Sequence, residues 1–396
     1  MKPAWLWVAL WATGLPWAMA DTQPLCDTAG TYQGGALHAP MPAHYFPILV
    51  ERTASLPYLP AELATRLDQR LQALLRQTGA PAISAAMEVP GLGRWSFSQG
   101  MARTQPPEAA DADTLFYWGS IAKPITAVLV LQLVQEGRLG LDDRLARWFP
   151  HLPNASHITI AQLLSHGSGL ATNAGDPLGA FSSQTAQLRQ AANTPSLFCP
   201  GADAAYSNTG YLLLGLVVEA LEQLPYHAVV HKRIAHPLGL RHLRALRPEE
   251  ASAPGLVTPH QGRVPQPDPA VWQRLGNGNV VATAGDMVRF WQALLTGQLL
   301  PLATVQQQWA ELYPLRNIPP NTQASSWFGQ GVMLTEMAMP SGERQVWLNH
   351  LGGTPTANAV VLYAPEPSAF VAVAVNNAVS APAVANALLK VLADWR

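Results

Sequence analysis

The strand-like stretches of this sequence lie near its two ends, with a long helical block between them. "AISAAMEV" (82–89) and "RWSFS" (94–98) flank a "PGLG" turn (90–93) and read as a buried strand with its hairpin partner. Far downstream, "QVWLNHLGG" (345–353), "NAVVLYAP" (358–365) and "AFVAVAVNN" (369–377) are again short, β-branched and turn-bounded. One sheet that buries all of them must recruit both ends of the chain, so the block between is carried as an insertion. This predicts an α/β fold with an inserted all-helical subdomain. Residues 61–137 and 298–396 form the sheet domain, 138–297 the helical part, and 21–60 an irregular wrapping segment rich in Pro, Gly and Ala.

Helices are predicted where apolar residues recur on one face. In "AELATRLDQRLQALLRQTG" (61–79) they fall at 63, 67, 71, 74 and 75, and Gly79 and Pro81 end the run. Further helices are expected over 141–149, 159–166, 209–224, 226–236 and 381–395. "TAGDMVRFWQALLTG" (283–297) opens on Thr283 with Asp286 three residues on, a capping-box spacing, and stops at Gly297. The Pro-rich stretch 248–270 reads as surface loop.

Hydrophobic residues make up 48% of the chain and charged residues 12%, with a formal net charge of −1. No basic field is available to hold a phosphate backbone, so nucleic acid is excluded as a partner and a small-molecule or peptide substrate is expected. The 13 tryptophans are assigned to core and cleft walls. Lys2, the apolar run "AWLWVALWATGL" (4–15) and "AMA" (18–20) follow the order of a secretory signal cut after Ala20. That run is too short for a bilayer, which needs about 20 residues, and no later stretch is long and apolar enough to span one. The expected product is periplasmic or secreted, with no integral span and a monomer as the simplest state. Export permits a disulfide, but nothing in the sequence places the two cysteines, Cys26 and Cys199, near each other. His227 and His231 stand four apart, yet no zincin glutamate and no third ligand accompany them, so neither metal nor cofactor is expected.

The chemistry is concentrated in "TLFYWGSIAKPITAVLVLQLVQEGRLGLDD" (114–143), which holds one of only four lysines in the chain. Lys123 follows Ser120 by three residues, and positions i and i+3 share a helix face. A serine in the first helical turn lies at the positive end of the helix dipole, and its own N–H is left unpaired. In an apolar surround a lysine ammonium loses hydration and its pKa falls, so it can take a proton from that hydroxyl. Pro124 is tolerated only if the helix starts close to Ser120. A lysine stem running along the core, with Ser120 as a mere cap, is the plainer alternative.

Two further stretches decide between these readings. "PGADAAYSNTGYLLLG" (200–215) holds Tyr206-Ser207-Asn208, and "WLNHLGGTP" (347–355) holds His350-Leu351-Gly352-Gly353. Taken in order, the three motifs resemble the Ser-x-x-Lys, Tyr-x-Asn and Lys-Thr-Gly or His-x-Gly elements of the serine hydrolases related to class C β-lactamases and D-alanyl-D-alanine carboxypeptidases. "LLSHGSGL" (163–170) and "ATAGDMVRF" (282–290) look like signatures of the same family, and the resemblance covers roughly residues 60 to 395. "HGSGL" (166–170) lacks the first glycine of a nucleophile elbow and reads as a loop buttressing the cleft.

The resemblance implies an antiparallel sheet flanked by helices, with the site in the cleft beside the helical insertion. It implies Ser120 as nucleophile of an acyl-enzyme, Lys123 and Tyr206 as its proton carriers, and Asn208 as a positioning group. The oxyanion hole would be the N–H groups of Ser120 and Gly353, with His350 and Gly352 on the substrate-binding strand. Lys123 and Tyr206 both remain open as the resting base. His350 departs from the lysine of typical β-lactamases of this group, which favours esters or D-amino-acid peptides over potent β-lactamase activity. A catalytically weak, penicillin-binding-like sensor or scaffold is the second expectation.

Overall fold

The computed structural model describes residues 26–39, 41, 56–172, 184–250, 255–266, 275–314, 325–338 and 344–395. The signal-like residues 1–20, residues 42–55 and parts of the Pro-rich stretch lie outside them.

Nine antiparallel strands form one sheet: β1 (Ala82–Val89), β2 (Gly93–Thr104), β3 (Pro107–Ala109), β4 (Tyr313–Pro314), β5 (Ser325–Phe328), β6 (Met333–Ala338), β7 (Arg344–Thr354), β8 (Ala357–Ala364) and β9 (Ala369–Val375). Their spatial order is β3-β2-β1-β9-β8-β7-β6-β5-β4. The two ends of the chain meet where Ile83 pairs with Val375 and Met87 with Val371. The sheet is thus closed by late strands on an early hairpin, as the placement of the strand-like stretches requires.

Every residue of β1 is buried because helices cover both faces. Its alternation divides two cores. Ile83, Ala85, Met87 and Val89 face a layer made with helix α1 (Ala61–Thr78) and the C-terminal helix Ala381–Trp395, through Leu63, Leu67, Leu71, Leu388 and Leu392. Ala82 and Ala86 face the larger core, which holds Trp118, Phe290 and the helix Ala122–Gln135. Gly79 closes α1 in a left-handed conformation (φ 65°), its N–H donating to Leu75 O at 3.1 Å.

The helix Ala122–Gln135, called α2, is buried on nearly every side and has almost no polar face. It runs beneath the strands as a central rod. α3 (Asn208–Glu222) crosses it, and α4 (Ala284–Leu295) lies against β1, β8 and β9. Thr283 caps α4 by accepting from Asp286 N at 3.2 Å. The Asp286 carboxylate does not turn back to complete the box. It accepts from His242 N at 2.6 Å and ties the preceding loop to the helix.

One predicted helix is absent. Residues 141–149 contain only a single 3₁₀ turn, Leu145–Arg147. Leu145 N donates to Ile158 O and Ala146 N to Ala155 O. With those amides spent across the loop, Arg144 is held extended and the helix cannot begin.

Candidate active site

The first half of the site grows from the start of α2. Phe116–Tyr117 is a short strand, and Gly119–Ile121 is a 3₁₀ turn that leads directly into the helix. Gly119 takes φ 50°, a left-handed bend that leaves Ser120 half-buried at the lip and Lys123 fully buried. Lys123 Nζ lies 3.1 Å from Ser120 Oγ, 2.7 Å from Asn208 Oδ1 and 3.0 Å from Asn277 O. No carboxylate is paired with it among the described residues. Burial therefore pushes its pKa well below that of an ordinary lysine. The three partners suit the neutral amine: two are carbonyl oxygens that take its two protons, and the third is a hydroxyl that can donate to its lone pair.

The second half comes from the segment before α3. Ser207, not Asn208 or Thr209, caps this helix, its Oγ accepting from Gly210 N at 3.1 Å. The Asn208 side chain is thereby free to reach Lys123. Tyr206 precedes the cap; Ser120 lies near enough to its phenol to lower the pKa, and Lys123 Nζ stands 4.6 Å from its ring centroid. Burial raises the Tyr206 pKa more than Ser120 lowers it, so the phenol is held protonated at neutral pH. Asn208 N donates to Thr172 Oγ1 at 3.1 Å, and Thr209 Oγ1 to Ala171 O at 2.8 Å, which fastens this half to the 166–172 loop.

The same segment is fastened from the N-terminal side. Cys26 and Cys199 are disulfide-bonded, with Cα atoms 5.7 Å apart. Gly30 N donates to Pro200 O at 2.8 Å and Gln33 N to Ala202 O at 2.7 Å. The wrapping segment is thus a strap across the loop that carries Tyr206.

The third motif is the central part of β7, where His350 pairs with Val361, Gly352 with Ala359 and Gly353 with Asn358. This strand passes directly behind the Gly119 turn. A Cβ on Gly352 would lie 2.0 Å from Trp118 O, so only glycine permits the approach. A Cβ on Gly119 would lie 3.3 Å from Gly353 N, which places that amide beside the Ser120 turn on an exposed stretch of strand. His350 itself is buried. Burial is the main cause that pushes its pKa down to about 3, despite the opposing bond to Leu351 O; Lys123 adds to the effect only when it is protonated. The imidazole is neutral at physiological pH.

The seven residues anticipated from the three motifs fall on segments that converge: Ser120, Lys123, Tyr206 and Asn208 cluster together, with His350, Gly352 and Gly353 on the strand behind. Sequence reasoning missed three groups. Asn277 contributes a backbone carbonyl, which carries no side-chain signature. Phe328 wedges between His166 and His350 with ring centroids 4.3 and 5.4 Å away. His166 is the third, buried at 1% exposure against Tyr206. The sequence marked its loop, 166–170, as a buttress of the cleft but did not single out the histidine, because the amide it accepts from, Ser207 N, is 41 residues away. Among the described residues no group of three or more metal-ligating side chains is assembled.

A family model described as Beta-lactamase matches residues 67–394. The chain is 33% identical over 251 residues to penicillin-binding protein 4 of Amycolatopsis lactamdurans, covering 60% of this chain and 65% of that one. It is 34% identical over 201 residues to esterase EstB of Burkholderia gladioli, covering 46% and 51%. The chain thus spans between half and two thirds of the length of these two relatives. Its fold is similar to that of a D-amino acid amidase from Ochrobactrum anthropi SV3, with a TM-score of 0.72 and 23% identity over 85% of this chain and all of that one.

Proposed function

This chain belongs to the beta-lactamase family, and from that premise we propose that it is an exported serine hydrolase that cleaves an ester or amide through an acyl-enzyme on Ser120. The observation that carries the reading is a fully buried Lys123, without a carboxylate partner, whose amine lies 3.1 Å from the Ser120 hydroxyl.

Lys123 is the resting base. Burial disfavours the charged form of each, lowering the Lys123 pKa and raising that of Tyr206, so the two candidates are pushed in opposite directions. Lys123 takes the Ser120 proton as Oγ attacks the carbonyl carbon. Tyr206 gives its phenolic proton to the leaving oxygen or nitrogen and is refilled from Lys123. The same groups, run in reverse, activate the water that releases the acyl group. The N–H groups of Ser120 and Gly353 receive the developing oxyanion; one such donor is worth about 3 kcal/mol.

The neutral His350 bears on the substrate. A lysine at this position would supply a permanent cation for a substrate carboxylate; an imidazole held uncharged supplies none. The preferred substrate is therefore an ester or a D-amino-acid amide or peptide whose binding does not depend on a carboxylate anchor. The similarity to an esterase and to a D-amino acid amidase points the same way. Export is supported by the signal-like N-terminus and by the Cys26–Cys199 bond, which belongs to an oxidising compartment. Among the described residues no single helix is long and apolar enough to cross a membrane.

The test is covalent labelling followed by turnover. Mature protein treated with a fluorophosphonate or a fluorescent penicillin should carry the adduct on Ser120, and Ser120→Ala should carry none. Turnover is then compared on a short-chain p-nitrophenyl ester, nitrocefin and a D-Ala-D-Ala peptide. Nitrocefin hydrolysed far faster than the others would overturn the substrate preference. A lasting adduct without turnover would favour a penicillin-binding sensor instead.

A further inference from the structure

The helix Ile160–Leu164 ends in a Schellman arrangement: Ser165 is its C-cap, and Gly167 N donates back to Gln162 O at 2.8 Å. The residue between must take a left-handed backbone, a position that glycine fills without strain. Here it is His166, at φ 62°, although the next residue in the chain is a glycine. A strained, fully buried L side chain where glycine would serve calls for a reason in the side chain itself.

The reason lies in what His166 touches. Its backbone carbonyl accepts from Ala205 N at 3.1 Å, and its ring Nδ1 accepts from Ser207 N at 3.0 Å. These two bonds bracket Tyr206 on both sides along the chain. The ring stacks at a tilt on the Tyr206 phenol, centroids 4.7 Å apart, and Phe328 closes its other side. Because Nδ1 accepts from a backbone amide, the neutral ring carries its proton on Nε2, and that atom has no partner among the described residues. His166 thus makes no proton-relay contact with Ser120 or Lys123. Both of its hydrogen bonds go to the residues that flank Tyr206.

We infer that His166 is a positioning residue, whose left-handed backbone and Nδ1 acceptor fix Tyr206 so that its phenol meets Ser120. The inference rests on the acyl-enzyme reading above, because it concerns the proton carrier of that reaction. It differs from a purely structural role in a specific way. If His166 served only to turn the chain, glycine would do as well or better. If the ring is needed, relieving the strain must not restore function.

Two variants separate these cases. His166→Gly keeps the left-handed turn and removes the acceptor. His166→Asn tolerates the same backbone and presents Oδ1 where Nδ1 was. The expected result for His166→Gly is a folded, titratable enzyme with kcat on a p-nitrophenyl ester reduced about a hundredfold, the scale of a 1 Å misplacement. KM should move by no more than about threefold, since substrate binding is not what His166 serves. His166→Asn should recover about tenfold of the lost kcat. All rates are referred to active sites titrated with fluorophosphonate, so that misfolded protein does not count. A His166→Gly enzyme with wild-type kcat, or an Asn variant no better than Gly, overturns the inference. Should the wild type prove inert toward both esters and fluorophosphonate, the acyl-enzyme reading falls instead. Crystal structures of the two variants then decide the placement by themselves: Tyr206 unmoved relative to Ser120 in His166→Gly refutes it.

Discussion

The two halves of the site are held in place by different physics. Ser120 and Lys123 ride on the first turns of α2, a helix buried on nearly every side, and their relative position is fixed by helical geometry and apolar packing. Tyr206 precedes α3 on a loop. Its position is fixed by hydrogen bonds to the 166–172 loop, by the ring of His166 and by a disulfide strap from the N-terminal segment. The helix-borne half is local in sequence and needs no partner to be arranged. The loop-borne half is a product of contacts between segments up to 173 residues apart. The lesson is that the Ser120–Lys123 pair is rigid by construction, whereas Tyr206 must be tethered.

The largest expected effect attacks the rigid half through the strand behind it. Gly352→Ala forces a Cβ against the Trp118 carbonyl, a backbone atom that cannot swing aside. β7 must then move off the Gly119 turn and carry Gly353 N away from the oxyanion position. Turnover should fall about 10²–10³-fold, measured per titrated active site, and the melting temperature should fall with it. Wild-type turnover in this variant would show that the rigid half has more slack than its packing implies.

An intermediate effect addresses the tether. Replacing Cys26 and Cys199 together by serine releases the strap and should lower stability by about 2–4 kcal/mol in denaturant unfolding. The Ser120–Lys123 pair does not depend on that strap, so fluorophosphonate should still label Ser120 in the folded variant while ester turnover drops several-fold. If labelling and turnover are lost in equal measure, the two halves are not independent and the comparison fails.

The smallest effect is a pH dependence that should be missing. Lys123 has a lowered pKa, so the neutral base is present above that value and is lost as pH falls through it. An acid limb in kcat/KM is expected from Lys123. The unfolded chain keeps the lysine proton up to about pH 10.4, so stability rises with pH across the window between the two values. His350, pushed down to about 3, adds no step near its ordinary value of about 6.5. The ratio of kcat/KM for an ester with a carboxylate to one without should stay flat from about pH 8 to about pH 5. A gain for the carboxylate ester that follows a step near about pH 6.5 would mean that His350 does charge, and would restore it as an anchor.

Much of this arrangement was legible in the residues. The alternation of β1, the capped and glycine-stopped helices and the i, i+3 pair of Ser120 and Lys123 are written in short-range periods that the backbone enforces locally. The failed helix at 141–149 shows where such reading stops: its amides had better partners at 155 and 158, and no periodic pattern records a competitor across a loop. The same limit applies inside the site. That Ser207 rather than Asn208 caps α3, that Asn277 lends a carbonyl to Lys123, and that His166 brackets Tyr206 all depend on which surfaces meet after collapse.

The sequence by itself determined the fold class, the family and the three motifs that converge at the candidate site, because periodicity and motif spacing are properties of neighbours along the chain. Only the tertiary structure decided how their protonation is biased: burial lowers the pKa of the lysine and the histidine and raises that of the tyrosine. The physical reason is desolvation, since the free energy of a charge depends on how much water surrounds it, and that is set by every segment that folds over the site.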